Sequence, residues 1–139
     1  MAVAVAAMLS SACELFTGGP VTADGIFLPR HRTSANEPQM GAALSGVLEL
    51  EGRCLWVRAD TQRYLAIWPP GTTVARQGGH AVFTTPRGAA KTGDRIISGG
   101  GERKDVSDFQ GALGRDAPPD CRSELYWIVS NEQLRVVYD

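Results

Sequence analysis

Residues 46–71, GVLELEGRCLWVRADTQRYLAIWPPG, constrain the fold more than any other part of the chain. Apolar and polar residues alternate in three short segments of this stretch, which is the pattern of half-buried β-strands. Polar turns at 51–53 and 59–62 separate the segments, and prolines end the last one, because proline cannot donate to a ladder of hydrogen bonds. The stretch therefore predicts three neighbouring short strands.

The rest of the chain continues in short apolar runs separated by turn residues. The 16 glycines and 8 prolines break the chain into pieces too short for long helices. Further strands are predicted at 74–76, 80–85, 95–98, 125–129 and 134–138, with turns at 77–79, 86–93 and 130–133. We therefore predict an all-β domain over residues 44–139. It should be a small antiparallel barrel of about six to eight short strands, like the oligonucleotide/oligosaccharide-binding (OB) fold or a similar meander.

Alternation assigns the side chains of the first three strands to two faces. The predicted core face carries Leu48, Leu50, Leu55, Val57, Leu65 and Ile67. The opposite face carries Cys54, Trp56, Tyr64 and Trp68. Three large aromatic residues on an outer face form either a candidate ligand face (Trp56, Tyr64, Trp68) or a second small core under a covering segment. The segment 99–120 is too long for an ordinary hairpin connection and is the expected cover, so the second core is the preferred interpretation.

Residues 1–12 have the composition of an export signal. The run MAVAVAAMLSSAC ends at Cys13 and is similar to the end of a bacterial lipoprotein signal, although Leu9 lies one place too early and Ser10 occupies the usual aliphatic position. The basic n-region of such a signal is missing from these residues. We expect export to the cell envelope with lipid attachment at Cys13. Ser10 and Ala12 also fit ordinary signal cleavage, so a soluble secreted form is the rival; a short helix packed on the domain is a further alternative.

The three cysteines fit the same expectation. One disulfide leaves one thiol over in an exported chain, and a lipid on Cys13 would account for it. Cys54 and Cys121 are then expected to form a bond worth roughly 4 kcal/mol in the chain-entropy model. The alternative is a cytoplasmic protein in which both cysteines are reduced and buried.

Residues 13–43 are predicted to be a flexible tether. Pro20, Pro29 and Pro38 interrupt the segment, and no apolar period persists in it. A flexible segment of this length would hold the domain about 30 Å from its anchor. His31 lies between two arginines and is interpreted as part of a solvated basic patch, in preference to a metal or phosphate site.

Composition and motifs argue against several function classes. The 14 basic and 15 acidic residues leave no basic excess for binding nucleic acid. His31 and His80 lie in different regions, and HExxH, CxxC and GxSxG are absent, so we predict no metal, no cofactor and no serine nucleophile. An oligonucleotide groove would have to use Arg53, Arg58, Arg63 and Arg76. An enzyme would have to use Asp94, Glu102, Asp105 and Asp108 as acid–base groups.

Several short motifs carry a family resemblance. They are Gly52-x-Cys54-Leu55, Trp68-Pro69-Pro70-Gly71, Gly93-Asp94, Gly99-Gly100-Gly101, Cys121 and Trp127-x-Val129. In this combination, residues 46–130 resemble a group of small exported bacterial domains that are mostly uncharacterised and often lipoproteins. Arg53 before Cys54 and Arg122 after Cys121 depart from the pattern of the group. The resemblance implies a compact β-barrel and export, and it implies no activity.

The sequence thus predicts a non-enzymatic, lipid-anchored module of the bacterial cell envelope with a binding or structural role. Its expected partners are the membrane and an envelope protein, peptide or glycan, with no nucleic acid. Two alternatives stay open at this point. One is a secreted enzyme that uses carboxylates of the 99–120 segment, and the other is an oligonucleotide-binding OB-like barrel.

Overall fold

The computed structural model describes residues 18–32, 42–86, 88–104 and 117–137, with the side chains of 130–133 excepted. Within these ranges the chain forms ten strands and one short 3-10 helix, Pro119–Cys121. The strands are β1 Val21–Ala23, β2 Ile26–Leu28, β3 Ala42–Glu51, β4 Cys54–Ala59, β5 Gln62–Ile67, β6 Thr73–Gln77, β7 His80–Thr85, β8 Gly88–Lys91, β9 Arg95–Arg103 and β10 Tyr126–Val137. The all-β prediction is confirmed. No helix in the described ranges is long and apolar enough to cross a membrane.

Five of these strands close into a barrel. Strand β3 pairs with β4, β4 with β5, β5 with β10, β10 with β9, and β9 again with β3. All of these pairings are antiparallel except that of β5 with β10. Numbered along the chain, the barrel strands are therefore joined in the order 1-2-3-5-4-1. This is the connectivity of the OB fold, a five-stranded Greek-key barrel, so the predicted small barrel is confirmed.

Strand β3 is shared between two neighbours, which is what allows five strands to close. Its first half pairs with β9 and its second half with β4, and Val47 pairs with both. Gly46 lies just before this change of partner. A Cβ atom at this position would lie 2.6 Å from Cγ1 of Val57, so only glycine permits the close approach of the two strands.

Strand β10 corrects the predicted turn at 130–133. Both of its halves run antiparallel to β9: Val129 pairs with Gly100, and Leu134 pairs with Ser98. Residues 130–133 therefore do not reverse the chain but are taken up in a bulge, which bends a strand and increases its twist. Only the first half of β10 reaches β5, where Tyr126 pairs with Leu65. Strand β9 also runs on to Arg103, into the segment that was predicted to be a loop from residue 99.

The β4–β5 hairpin corrects the predicted faces of β5. Its turn has only two residues, Asp60 and Thr61, because Ala59 pairs with Gln62. Val57 therefore lies opposite Tyr64, and directly opposed residues share a face of the sheet.

The consequence of this register is that β5 is turned over relative to the prediction. Tyr64 and Trp68 belong to the main core with Leu48, Leu55 and Val57, which were correctly assigned. Leu65 and Ile67, predicted to be core residues, lie on the outer face with Trp56. The predicted turn at 59–62 already implies this pairing, since it places Arg58 opposite Arg63. The error was to assign Leu65 and Ile67 to the core face because they are apolar, without counting residues across the turn; a shift of one residue in the pairing would have been needed to place them there.

The predicted flexible tether is wrong for residues 18–32, which form a hairpin docked across one end of the barrel. Strand β1 pairs with β2, and the N–H of Phe27 donates to the carbonyl of Arg53. Beyond β2, the N–H of Trp68 donates to Pro29 O, and that of His31 donates to Trp68 O. Ile26 and Leu28 are fully buried in the main core. The predicted signal (residues 1–12), Cys13 and tether residues 14–17 and 33–41 lie outside the described residues.

A separate three-stranded sheet is inserted between β5 and β9. Its order is β6-β7-β8, and β8 occupies part of the predicted turn at 86–93. Its apolar side chains join the barrel interior in one cluster, which includes Val74, Ala81, Phe83 and Ala90. The rings of Trp68 and Phe83 meet with their centroids 4.5 Å apart. The sheet thus closes the barrel together with the N-terminal hairpin.

Gly100 provides a test of the β9–β10 register. Its φ is +153°, and a Cβ atom there would overlap the carbonyl oxygen of Ile128. We expect Gly100→Ala to lower the free energy of unfolding by about 3 kcal/mol, because the clash forces the backbone to move at the bulge. Denaturant unfolding measures this change. The control is Gly79→Ala, where a Cβ meets nothing within 4 Å and φ is not positive. Equal stability of the two variants would contradict the register.

Candidate functional site

The outer face of strands β4 and β5 is the surface on which OB barrels bind oligonucleotides and oligosaccharides. In this protein the face carries a second apolar cluster, separate from the main core, which we call the outer cluster. It consists of Phe27, Cys54, Trp56, Leu65, Ile67, Ala117, Cys121, Tyr126 and Ile128. Every member is buried, so this part of the face is occupied by the protein's own side chains.

A disulfide between Cys54 and Cys121 closes the outer cluster. Cys54 begins β4 and Cys121 ends the short 3-10 helix, and their Cα atoms are 5.3 Å apart. Both residues are buried, and the bond holds segment 117–121 against β4. Leu65 N also donates to Leu125 O at 3.1 Å, which ties the chain after the disulfide to β5. The predicted Cys54–Cys121 pairing is confirmed.

The three residues of the candidate ligand face do not form a common exposed surface. The exposed fractions of Trp56, Tyr64 and Trp68 are 3%, 7% and 0%. Trp56 lies in the outer cluster, whereas Tyr64 and Trp68 belong to the main core. The preferred interpretation, a second core, is therefore correct for Trp56. It is wrong for Tyr64 and Trp68, which the β4–β5 register places in the main core.

Arg63 covers Trp56, the one residue of the candidate ligand face that lies on the outer face. Its guanidinium carbon lies 3.9 Å from the ring centroid of Trp56, and it also pairs with Glu51. Arg58 lies directly opposite Arg63 across the hairpin and pairs with Glu49 at 3.0 Å. Like charges directly opposite each other destabilise a sheet, so each of these carboxylates offsets a repulsion.

The other two arginines of the predicted groove contact acidic residues in different ways. Arg53 pairs with Asp120 at 3.1 Å, close to the disulfide. The backbone N–H of Arg76 donates to Oδ2 of Asp24 at 2.9 Å, and Nε of Arg76 donates to the backbone oxygen of Asp24. Three of the four guanidinium groups are therefore paired with carboxylates, and that of Arg76 is bonded to a backbone oxygen.

Asp120 lies between the disulfide and Arg53. The hydrogen bond from Arg53 holds the pKa of the Asp120 carboxyl below its ordinary value. Its Oδ2 is 3.7 Å from Sγ of Cys54, so Cys54, Asp120 and Cys121 together have the spacing of metal ligands. The two sulfur atoms are bonded to each other, however, and cysteine binds a metal only as a free thiolate. Of these three residues, only Asp120 can therefore act as a metal ligand in the oxidised protein.

The carboxylates proposed for an enzyme do not come together among the described residues. Asp94 precedes β9, where its Oδ2 accepts from Lys91 N at 3.0 Å, and Glu102 lies near the far end of that strand. Eight residues of extended chain separate them by roughly 26 Å. Asp105 and Asp108 lie outside the described residues. Asp94 and Glu102 therefore cannot act on the same bond.

Glu102 instead contacts Tyr64, which was predicted to lie on the outer face. The hydroxyl of Tyr64 donates to Glu102 at 2.9 Å and lies 2.7 Å from the side-chain oxygen of Gln62. Burial and, after it, the hydrogen bond and negative charge of Glu102 raise the pKa of Tyr64. The hydrogen bond thus links β5 to β9 at the rim of the barrel. Counting residues across the β4–β5 turn would have found this contact, since Tyr64 pairs with the core residue Val57.

The predicted solvated basic patch is wrong for Arg30 and His31, which are buried. Arg30 donates from Nε to Gly19 O at 2.8 Å and from Nη1 to Thr72 O at 3.1 Å. Burial lowers the pKa of Arg30. Nε2 of His31 lies 3.0 Å from the carbonyl oxygen of Val129. These two side chains hold the N-terminal hairpin to the barrel, and only Arg32 is exposed as predicted.

Removal of the disulfide should loosen the outer cluster selectively. In the oxidised protein all three tryptophans are at least 96% buried, so acrylamide should quench their emission poorly. We expect Cys54→Ser to lower the free energy of unfolding by about 2–5 kcal/mol. It should also make Trp56 quenchable while Trp68 and Trp127, which lie in the main core, stay protected.

A Trp56→Phe change in the Cys54→Ser background identifies the tryptophan that responds, and Cys13→Ser is the control that should leave both stability and quenching unchanged. Ready quenching of the intact protein would contradict a buried outer cluster. Titration of free thiols that finds Cys54 and Cys121 reduced in protein isolated from cells would contradict the disulfide.

Comparison with known proteins identifies no family. The chain matches no protein-family model, no curated protein and no solved structure.

Proposed function

We propose that this chain is a non-enzymatic module of the bacterial cell envelope. In this proposal the protein is exported, is anchored to the membrane through a lipid on Cys13, and has a binding or structural role. The observation that carries the proposal is the disulfide between Cys54 and Cys121. Structural disulfides form and persist in exported proteins and are rare in the cytosol, where thiols are kept reduced.

The position of the disulfide supports this choice of compartment. Both cysteines are buried, and the bond fixes a covering segment over an apolar face of the barrel. In a reducing cytosol, segment 117–121 would have to stay on that face through noncovalent contacts alone. The exported protein retains the covalent constraint, which is worth roughly 4 kcal/mol for a loop of this length.

The remaining cysteine supports the lipid anchor. Once Cys54 and Cys121 are bonded, Cys13 is the remaining one of the three cysteines in the sequence. An unpaired thiol is unusual in an exported protein, whereas thioether attachment of a lipid uses it. Two features thus favour the same function: the apolar residues that end at Cys13, and the pairing of the other two cysteines.

A binding or structural role is favoured over catalysis by the placement of the charged groups. Asp94 and Glu102 lie at opposite ends of β9, and Glu102 is engaged by Tyr64. The oligonucleotide alternative is disfavoured because three of its four arginines are paired with carboxylates. An envelope protein, peptide or glycan would have to bind outside the outer cluster, since the candidate ligand face is buried.

Metabolic labelling with a fatty acid tests the anchor. The protein, expressed in bacteria behind a functional export signal, should incorporate the label and fractionate with membranes. Cys13→Ala should lose the label and the membrane fraction, because the acceptor sulfur is gone. The matched control is Ser11→Ala, which keeps a small residue before Cys13 and should keep the label. A Cys13→Ala protein that stays labelled and membrane-bound would overturn the proposal, and an unlabelled, secreted wild-type protein would favour ordinary signal cleavage.

A further inference from the structure

We propose that the end of the barrel at which residues 18–20 dock lies directly against the lipid headgroups, so that the protein has a fixed membrane-facing surface. This inference rests on the proposed anchor at Cys13 and adds the surface that meets the membrane. It follows from how firmly residues 18–20 are held on the barrel and from how few residues separate them from Cys13.

The docked segment begins only a few residues after the proposed anchor. Gly19 N donates to Arg30 O at 3.1 Å, and Gly19 O accepts from Nε of Arg30 at 2.8 Å. Gly18 packs so closely that a Cβ atom there would overlap the carbonyl oxygen of His31. Arg30 itself is 1% exposed and is also bonded to Thr72 O, so Gly18 and Gly19 are integral to the folded domain.

The chain between Cys13 and Gly18 is too short to act as a spacer. Whatever its conformation, five residues span at most about 18 Å. A fully flexible segment over residues 13–43 would instead have allowed about 30 Å on average. Strand β5 alone, with its six residues, is roughly 17 Å long. The remaining linker is therefore about as long as one barrel strand, and the docked end has to stay near the membrane.

The chemistry of the docked end fits a headgroup layer. Arg32 is exposed, and its guanidinium lies over Gly19. The neighbouring positions Pro20, Pro70 and Gly71 are half-buried and carry no charge. One arginine close to an anionic membrane contributes about 1 kcal/mol of attraction. The exposed cation and the short linker thus favour the same orientation.

The opposite end of the barrel is then directed away from the membrane. The β4–β5 turn, Asp60–Thr61, is exposed and lies at the other end of β5 from Trp68, which is bonded to the docked segment. The turn is separated from the docked end by at least the length of one strand, roughly 17 Å. A soluble envelope partner would therefore approach the Asp60–Thr61 end.

Short-range fluorescence quenching in vesicles tests this orientation. An azide-bearing amino acid is placed at position 32 or at position 61 and labelled with a dye, which spares the cysteines. The lipidated protein is inserted into vesicles of phosphatidylethanolamine and phosphatidylglycerol that contain a lipid with a nitroxide on its headgroup. We expect about a two-fold or greater loss of emission at position 32 and little loss at position 61, because the two differ by at least one strand length.

A linker variant serves as the matched control. Insertion of about 20 glycine and serine residues between positions 17 and 18 should remove the difference between the two labels, because the domain can then move about 25 Å from its anchor. Equal quenching at positions 32 and 61 in the lipidated protein without the insertion would overturn the inference and leave the proposed anchor intact. A protein whose mass shows no lipid on Cys13 would overturn the proposed function itself.

Discussion

The disulfide between Cys54 and Cys121 is the contact on which the outer half of this structure depends. An OB barrel has a core inside and a ligand face outside, and here the outer face carries Trp56, Leu65 and Ile67. Left open, such a face would expose a contiguous apolar patch, which in a soluble domain binds a ligand or another surface. The bond fixes segment 117–121 over this patch and makes it a second core.

The barrel interior, in contrast to the outer face, is closed by noncovalent contacts. The N-terminal hairpin and the β6–β7–β8 sheet cover the main core, and Arg30 connects the hairpin to Thr72 through backbone carbonyls. The buried guanidinium is thus hydrogen-bonded, as a buried polar group has to be. The indole N–H of Trp68 is the one buried side-chain donor in the described structure without a hydrogen-bond partner. Packing of its ring against Phe83 offsets part of that loss.

The sequence predicted the features that depend on composition and long-range chemistry. Glycine and proline spacing predicted the all-β barrel, and cysteine counting predicted the disulfide. The errors came from short-range geometry. Two strands of three residues each, β1 and β2, are too short to show a period, so the docked hairpin was mistaken for a tether. The faces of β5 were assigned from its apolar residues alone and not from its pairing with β4, in which Tyr64 lies opposite the core residue Val57.

The same limit explains why the candidate site was only partly predicted. Trp56 was placed correctly on the outer face. Tyr64 and Trp68 were placed on the wrong face, because both faces of this segment carry apolar side chains and alternation alone does not decide which of them is the core face. The local ion pairs of Arg58 and Arg63 join residues from different strands, and that of Arg53 joins a turn to the 3-10 helix, so all three become visible only once the fold is known. Buried polar groups such as His31 are equally hidden, since their acceptors are backbone carbonyls with no sequence pattern.

Hydrogen exchange, measured peptide by peptide on oxidised and reduced protein, tests most directly whether the disulfide closes the outer face. Reduction should accelerate exchange in peptides that cover 117–125 and in β5, where Leu65 N donates to Leu125 O. The β3–β9 pairing, which lies in the barrel wall away from the bond, should keep its protection. Unchanged exchange in 117–125 after reduction would contradict this account, because the segment would then be held on the barrel without its covalent link.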